Sequence, residues 1–315
     1  MAGAKALGPL LFREQWAYLG RDRHQWGPHL RHIRAFLGDG LAQARGPALI
    51  LGAGSGLEVP WSLAPAGTVG WDADPWSRLR TCLRHHVWPP WVFQDLTGGM
   101  AELVAVARRS ARQPWSERVR ATRAASRRLA GLIASLDPGA APLNQWLMLH
   151  RPGTILAANL MGQFGVLATR SVIKAFAGLS PWEEEDVEDP LEHALRGWTV
   201  RAVTAFLAAL GGSGADLWLV HDRGVLFGEG RVTLGPLRDP WTAQLQASVP
   251  LEADDPLCGV DVVGAFPGRS LERHHRWLWP VGPGQTHIME ALRVLGTGEM
   301  KTPSSAGQTP PIMGC

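Results

Sequence analysis

Three glycines at alternating positions, Gly52, Gly54 and Gly56, follow an apolar run in "ALILGAGSGLEVP" (48–60). Glycine has no Cβ, so a turn of this kind lets a ligand lie against the backbone, with Ala53 and Ser55 between the glycines. Spacing restricts which ligand. A dinucleotide fingerprint needs glycine at its first, third and sixth positions. The sixth position here is Leu57 counted from Gly52 and Val59 counted from Gly54. A phosphate-cradling Walker loop ends in GK[ST], which the chain lacks, and it also lacks HExxH and CxxC metal signatures.

Other chemistry-bearing residues close later apolar runs. Asp72, followed by Ala73, ends "TVGWD"; Asp95, followed by Leu96, ends "WVFQD"; Asn159 ends "GTILAAN"; Asp222 follows His221 in "ADLWLVHDRG". A carboxylate at a strand end accepts hydrogen bonds from a ligand or caps the next helix, and both readings stand for Asp72. Asp95 is a ligand contact or a turn residue, as is Asp222. The Asn159 amide can hold a ligand's amine or an acceptor, or cap its strand. His193, in a helix after an acidic run, is a candidate base if it faces the same pocket, and otherwise an ordinary surface or core histidine.

These residues need strands and helices to bring them together. Short apolar runs at 48–52, 67–75, 91–99, 153–162 and 215–224 alternate with helical stretches. Strand and helix in alternation predict an α/β fold with a largely parallel sheet. After the fifth run the alternation stops. "GVLFGEGRVTLGPL" reads as a hairpin, and "CGVDVVGAF" and "HHRWLWPV" read as late strands. Two helical pieces broken near Gly27-Pro28 precede the first strand, and a basic helical segment spans 102–136. In "SPWEEEDVED", Ser180 as N-cap, Pro181 and Glu183 form a capping-box helix start. The Pro-, Gly- and Ser-rich end, 297–315, has the composition of a disordered tail.

Composition bounds the class. With 315 residues, 45% hydrophobic and 19% charged, a sizeable core is expected. A net charge of +3 does not by itself imply nucleic-acid binding, and the eight arginines between Arg108 and Arg128 read first as a solvated helix face. Cys82, Cys258 and Cys315 are far apart and odd in number, which fits a reducing cytoplasm rather than a disulfide framework. No apolar run is long enough to span a bilayer. Fifteen tryptophans are either core or an aromatic pocket; Trp277 and Trp279 alternate and so face one side of a strand.

The glycine turn and the ordered strand ends resemble the Rossmann-like (class I) S-adenosylmethionine-dependent methyltransferases over residues 48 to about 222. The "ANL" strand end and the Trp-rich late strand resemble a bacterial branch of that superfamily. The resemblance implies a Rossmann-like, mostly parallel sheet flanked by helices, with antiparallel late strands and an N-terminal helical cap (1–47). The binding domain would run over 48–296, with a helical insertion at about 98–150. It implies S-adenosylmethionine held by Gly52, Ala53, Gly54, Ser55 and Gly56, with Asp72 on the ribose beside Ala73, and with Asp95 and Leu96 near the adenine. Asn159 would line the methionine end and the acceptor; with His193 and Asp222 it completes the candidate catalytic set. Two departures bear on function. Ile50 stands where many members carry an acid, and the fourth strand lacks the Asn-Pro-Pro-aromatic clamp of base-flipping methylases. The expected partner is a small-molecule or protein acceptor, not nucleic acid or a membrane. A catalytically silent ligand- or partner-binding module is the alternative that Ile50 motivates.

Overall fold

A computed structural model of the chain describes residues 26–111, 118–176, 190–228, 232–239, 242–247 and 252–297. The first predicted helical piece up to residue 25, the capping box at Ser180–Glu183 and the tail beyond Thr297 lie outside the described residues, as do the side chains of Arg112, Arg118, Arg120 and Arg123 in the basic segment. In chain order the elements are α1 (Gly27–Ala42), β1 (Ala48–Leu51), β2 (Val69–Trp71), α2 (Ser77–His85), β3 (Trp91–Val92), α3 (Met100–Ala111), α4 (Arg118–Ala134) and α5 (Ala141–His150). Then follow β4 (Thr154–Ala158), α6 (Met161–Phe176), α7 (Pro190–Gly212), β5 (Asp216–Phe227), β6 (Val232–Asp239), β7 (Thr242–Ala247), β8 (Glu252–Asp254), β9 (Leu271–Gly282) and β10 (Gln285–Val294).

The main sheet has the order β3-β2-β1-β4-β5-β10-β9, and β8 also pairs with the end of β5. β1 to β5 are parallel, while β10 is antiparallel to both β5 and β9. This is the α/β fold with a largely parallel sheet that the alternation predicts, with the antiparallel late strands that the resemblance implies. Chain direction across the sheet switches between β1 and β4. Open parallel sheets bind ligands at that point, beyond the carboxyl ends of the strands.

The parallel strands read as continuous apolar runs because both of their faces are covered. In β1, Leu49 and Leu51 face α3 to α7, and Ala48 and Ile50 face α1. On the first face Leu103, Ile133, Phe164, Trp198 and Phe206 close over the sheet. On the second, Leu30, Ile33, Phe36, Leu37 and Leu41 of α1 cover Leu156, Trp218, Val220, Met289 and Ala291. Each such side chain stabilises the fold by about 1.5–3 kcal/mol when buried. Helix α1 starts at Gly27 with Pro28 in its first turn, at the predicted break.

Three expectations change. Cys258–Phe266 is a series of turns rather than a strand: Asp255 accepts from the Leu257 and Gly259 amides, and Asp261 from Val263. Residues 224–237 are not one hairpin, because the end of β5 pairs with β8 and β10 while β6 pairs with β7. The third strand is only two residues long. The basic segment divides into α3 and α4, and Pro114 falls between them. Arg108, Arg109, Arg127 and Arg128 are exposed, whereas Leu129 and Ile133 are buried. No described helix is long and apolar enough to cross a membrane.

Candidate functional site

The glycine turn takes its shape from backbone that side chains resist. Gly52, Gly54 and Gly56 sit at φ 65°, 52° and 70°, in the left-handed region that costs any Cβ-bearing residue strain. The amides of Gly52 and Ala53 donate to the Trp71 carbonyl at the end of β2. The Gly54 amide donates to Asp72 Oδ2 at 2.8 Å, and Asp72 Oδ1 accepts from the Asp74 amide at 2.8 Å. Asp72 therefore ties the turn to β2. Each of its oxygens keeps a second lone pair for a ligand. Burial pushes the Asp72 carboxyl up to about 6, against the two backbone bonds, which lower it; Asp74 raises it further and Arg80 lowers it. Asp74 is itself buried and paired to Arg80 Nη1 at 2.5 Å.

A cavity of about 250 Å³ opens at the carboxyl ends of β1, β2, β4 and β5. The lining runs from Gly52, Ala53, Gly54, Ser55 and Asp72 after β1 and β2, through Asn159 after β4, to Gly162 and Gln163 of α6, Asp222 on β5, Trp279 on β9 and Gln285 and His287 on β10, with Trp26 from the cap. Asn159 is buried at the end of β4, with φ 43°, a left-handed conformation that Asn tolerates better than most residues. Its amide N–H donates to the Val220 carbonyl at 2.8 Å, yet its side-chain Oδ1 is buried without a hydrogen-bond partner. Buried acceptors are satisfied in most folded chains, so an orphan on a cavity wall marks a place for a donor.

Asp222 was legible as a strand-end acid, but its partner was not. His287 Nδ1 lies 2.9 Å from Asp222 Oδ1, and Gln285 Nε2 lies 3.0 Å from His287 Nε2. Residues 225 and 224 oppose His287 and Ile288, then Asp222 opposes Met289, leaving Arg223 as the extra residue of a bulge. Had the outer register continued inward, Asp222 would oppose Glu290 and face away from His287. The bulge aims it at the face that Met289 and His287 share. Gly162, at the start of α6, leaves room for it: a Cβ there would lie 2.8 Å from Asp222 Oδ2. The carboxylate thus sits by the positive end of a 16-residue helix. His221, the adjacent residue, points to the opposite face, where its Nε2 is 3.1 Å from Glu290 Oε2, and Arg276 holds Glu290 Oε1.

Several predicted contacts do not reach the cavity. His193 is exposed on α7 and does not line it. Asp95 is turned inward: Oδ1 accepts from the Thr97 amide and hydroxyl, and Oδ2 accepts from the Met100 amide at 2.8 Å, so it anchors the start of α3. Burial raises its pKa in spite of these bonds. Leu96 is buried in the core, Ala73 packs against that core, and Gly56 turns its carbonyl to His85 Nε2 at 2.7 Å. Ile50 is fully buried under α1; the acid on this side of the cavity is Glu58, with His29 Nε2 3.6 Å away. His29 is a core histidine that accepts from Trp277 Nε1 at 3.1 Å and stacks on Trp279 at 3.9 Å. Trp277 and Trp279 are both buried under α1, and Trp279 also lines the cavity. Cys82 and Cys258 are free thiols, and no three His, Cys, Asp or Glu side chains gather as metal ligands among the described residues.

No protein-family model matches the chain, and no curated protein matches it. Among solved structures it is similar to magnesium protoporphyrin IX methyltransferase from Synechocystis PCC 6803 with bound SAM, at 12% identity and a TM-score of 0.35, over 87% of this chain and 90% of that one.

Proposed function

We propose that the protein transfers a methyl group from S-adenosylmethionine to a small-molecule acceptor. Asn159 carries the reading. A buried amide oxygen with no hydrogen-bond partner belongs to a residue that lines a cavity whose rim is a glycine turn, and the turn is bonded to an acid at the next strand end. The group's ammonium is the donor that Asn159 Oδ1 lacks, and its ribose hydroxyls are donors for the remaining lone pairs of Asp72. A backbone without Cβ atoms at three left-handed positions lets the nucleoside lie close. When bound, S-adenosylmethionine supplies an electrophilic methyl on sulfur. The chain's share of the chemistry is alignment of acceptor and methyl, exclusion of water, and removal of a proton where the acceptor has one to lose. Native mass spectrometry of the purified protein tests the reading without an acceptor. Co-purifying S-adenosylmethionine or its demethylated product is expected, and an empty protein that also ignores added cofactor contradicts the proposal.

A further inference from the structure

Asp222, His287 and Gln285 form a connected set on the cavity wall away from the glycine turn. Resting on the methyl-transfer reading, we infer that His287 is the general base of this site and that the acceptor it serves is a phenol.

Geometry fixes the imidazole. A carboxylate only accepts hydrogen bonds, so the 2.9 Å contact between Asp222 Oδ1 and His287 Nδ1 puts the proton on Nδ1 and leaves the lone pair on Nε2. Gln285 Nε2, 3.0 Å away, fills that lone pair in the free protein and marks the place that an acceptor hydroxyl takes when the Gln285 amide gives way. Asp222 and Gln285 are positioning residues in this scheme, and His287 is the catalytic one. The ring is held from both neighbouring strands: it opposes Val225 on β5 and Trp279 on β9.

The walls beside His287 choose the acceptor. Trp279 lies 5.3 Å from the imidazole at 57°, Trp26 meets Trp279 edge-on at 5.1 Å, and Val281 follows on the same face of β9. Trp26 and Trp279 are almost fully buried and His29 stacks on Trp279, so what they give the cavity is an apolar lining beside the imidazole, which suits an aromatic acceptor. A carboxylate or thiolate acceptor already carries its nucleophilic electron pair and needs no base, whereas a phenol at neutral pH needs one. In the step, the phenolic O–H proton passes to His287 Nε2. The oxygen forms a bond to the methyl carbon, and the carbon–sulfur bond breaks with its electron pair on sulfur. The products are an aryl methyl ether, the thioether S-adenosylhomocysteine and an imidazolium, which returns its proton to water. The charged groups that share the space with His287 are Asp222 from β5 and, around the cavity, Glu58, Asp72 and Arg170.

Nitrogen NMR of the full chain with labelled histidine tests this without turnover, His287 being assigned by its loss in His287→Gln. The expected free protein carries the neutral His287 proton on Nδ1; added phenol shifts the Nε2 resonance and benzoate does not. Asp222→Asn moves the proton towards Nε2. A wild-type proton on Nε2, or a resonance that phenol leaves unmoved, overturns the inference. With phenol and S-adenosylmethionine, His287→Gln is expected to lower kcat about 100-fold while cofactor affinity stays within about twofold; unchanged kcat removes the base role. Failure of the underlying reading looks different: S-adenosylhomocysteine does not bind, yet phenol still shifts His287.

Discussion

The two walls of the cavity are assembled in opposite ways. Gly52, Gly54 and Gly56 fall within five residues of sequence and reach Asp72 through one parallel crossover between β1 and β2. Asp222 and His287 are 65 positions apart and meet only because an antiparallel pair bulges at Arg223. The first wall depends on backbone conformation, at three positive-φ glycines. The second depends on register and on a helix start without a Cβ at Gly162. On the methyl-transfer reading the two walls have separable jobs, cofactor retention at the glycine wall and acceptor activation at the bulged wall, and substitutions should separate them.

The largest effect is expected at the glycine wall. Gly54→Val forces a β-branched residue to φ 52° and removes the alignment of its amide with Asp72 Oδ2, so affinity for S-adenosylhomocysteine should fall more than about 100-fold by calorimetry. On the bulged wall, Asp222→Asn should lower kcat by about 10- to 100-fold in a methyl-donor consumption assay and leave that affinity within about twofold. A parallel loss of affinity would merge the two walls into one unit.

A smaller effect follows from Asp72. Its carboxyl titrates near 6 because burial opposes its charge, so the native state loses stability as pH rises from the ordinary value of 3.8 to about 6. A ligand held through the ionised carboxylate reverses that dependence. Cofactor affinity should be flat above about pH 6 and fall up to about tenfold per unit below it; Asp72→Asn should flatten the profile. The smallest effect is expected at His193, which is exposed on α7: His193→Ala should change neither affinity nor kcat beyond about twofold.

Legibility in the sequence followed the same division. The α/β fold, the glycine turn, Asp72, Asn159 and Asp222 could be read from strand-end spacing, because parallel crossovers bring successive strand ends to one edge of the sheet. His287 could not, because its partner is set by a bulge, and no local signal announces which residue of β5 is the extra one. The available hint was alternation: Trp277, Trp279 and Val281 on β9, and His287, Met289 and Ala291 on β10, share the side of the sheet that α1 covers. Asp95 and Leu96 were assigned to the ligand because a strand-end acid and a helix-anchoring acid look alike in sequence. Only the Thr97 and Met100 amides reveal which role this one has. His193 lies away from the cavity for a related reason: helical periodicity places it on α7 without saying which way α7 turns.

The central claim is that the glycine wall and Asn159 hold S-adenosylmethionine, and calorimetric titration of the full chain with S-adenosylhomocysteine tests it most directly. Saturable binding at one site, weakened at least about tenfold by Asn159→Ala and lost in Gly54→Val, is the predicted result. Absence of binding at millimolar ligand, or binding that both variants leave intact, would contradict it.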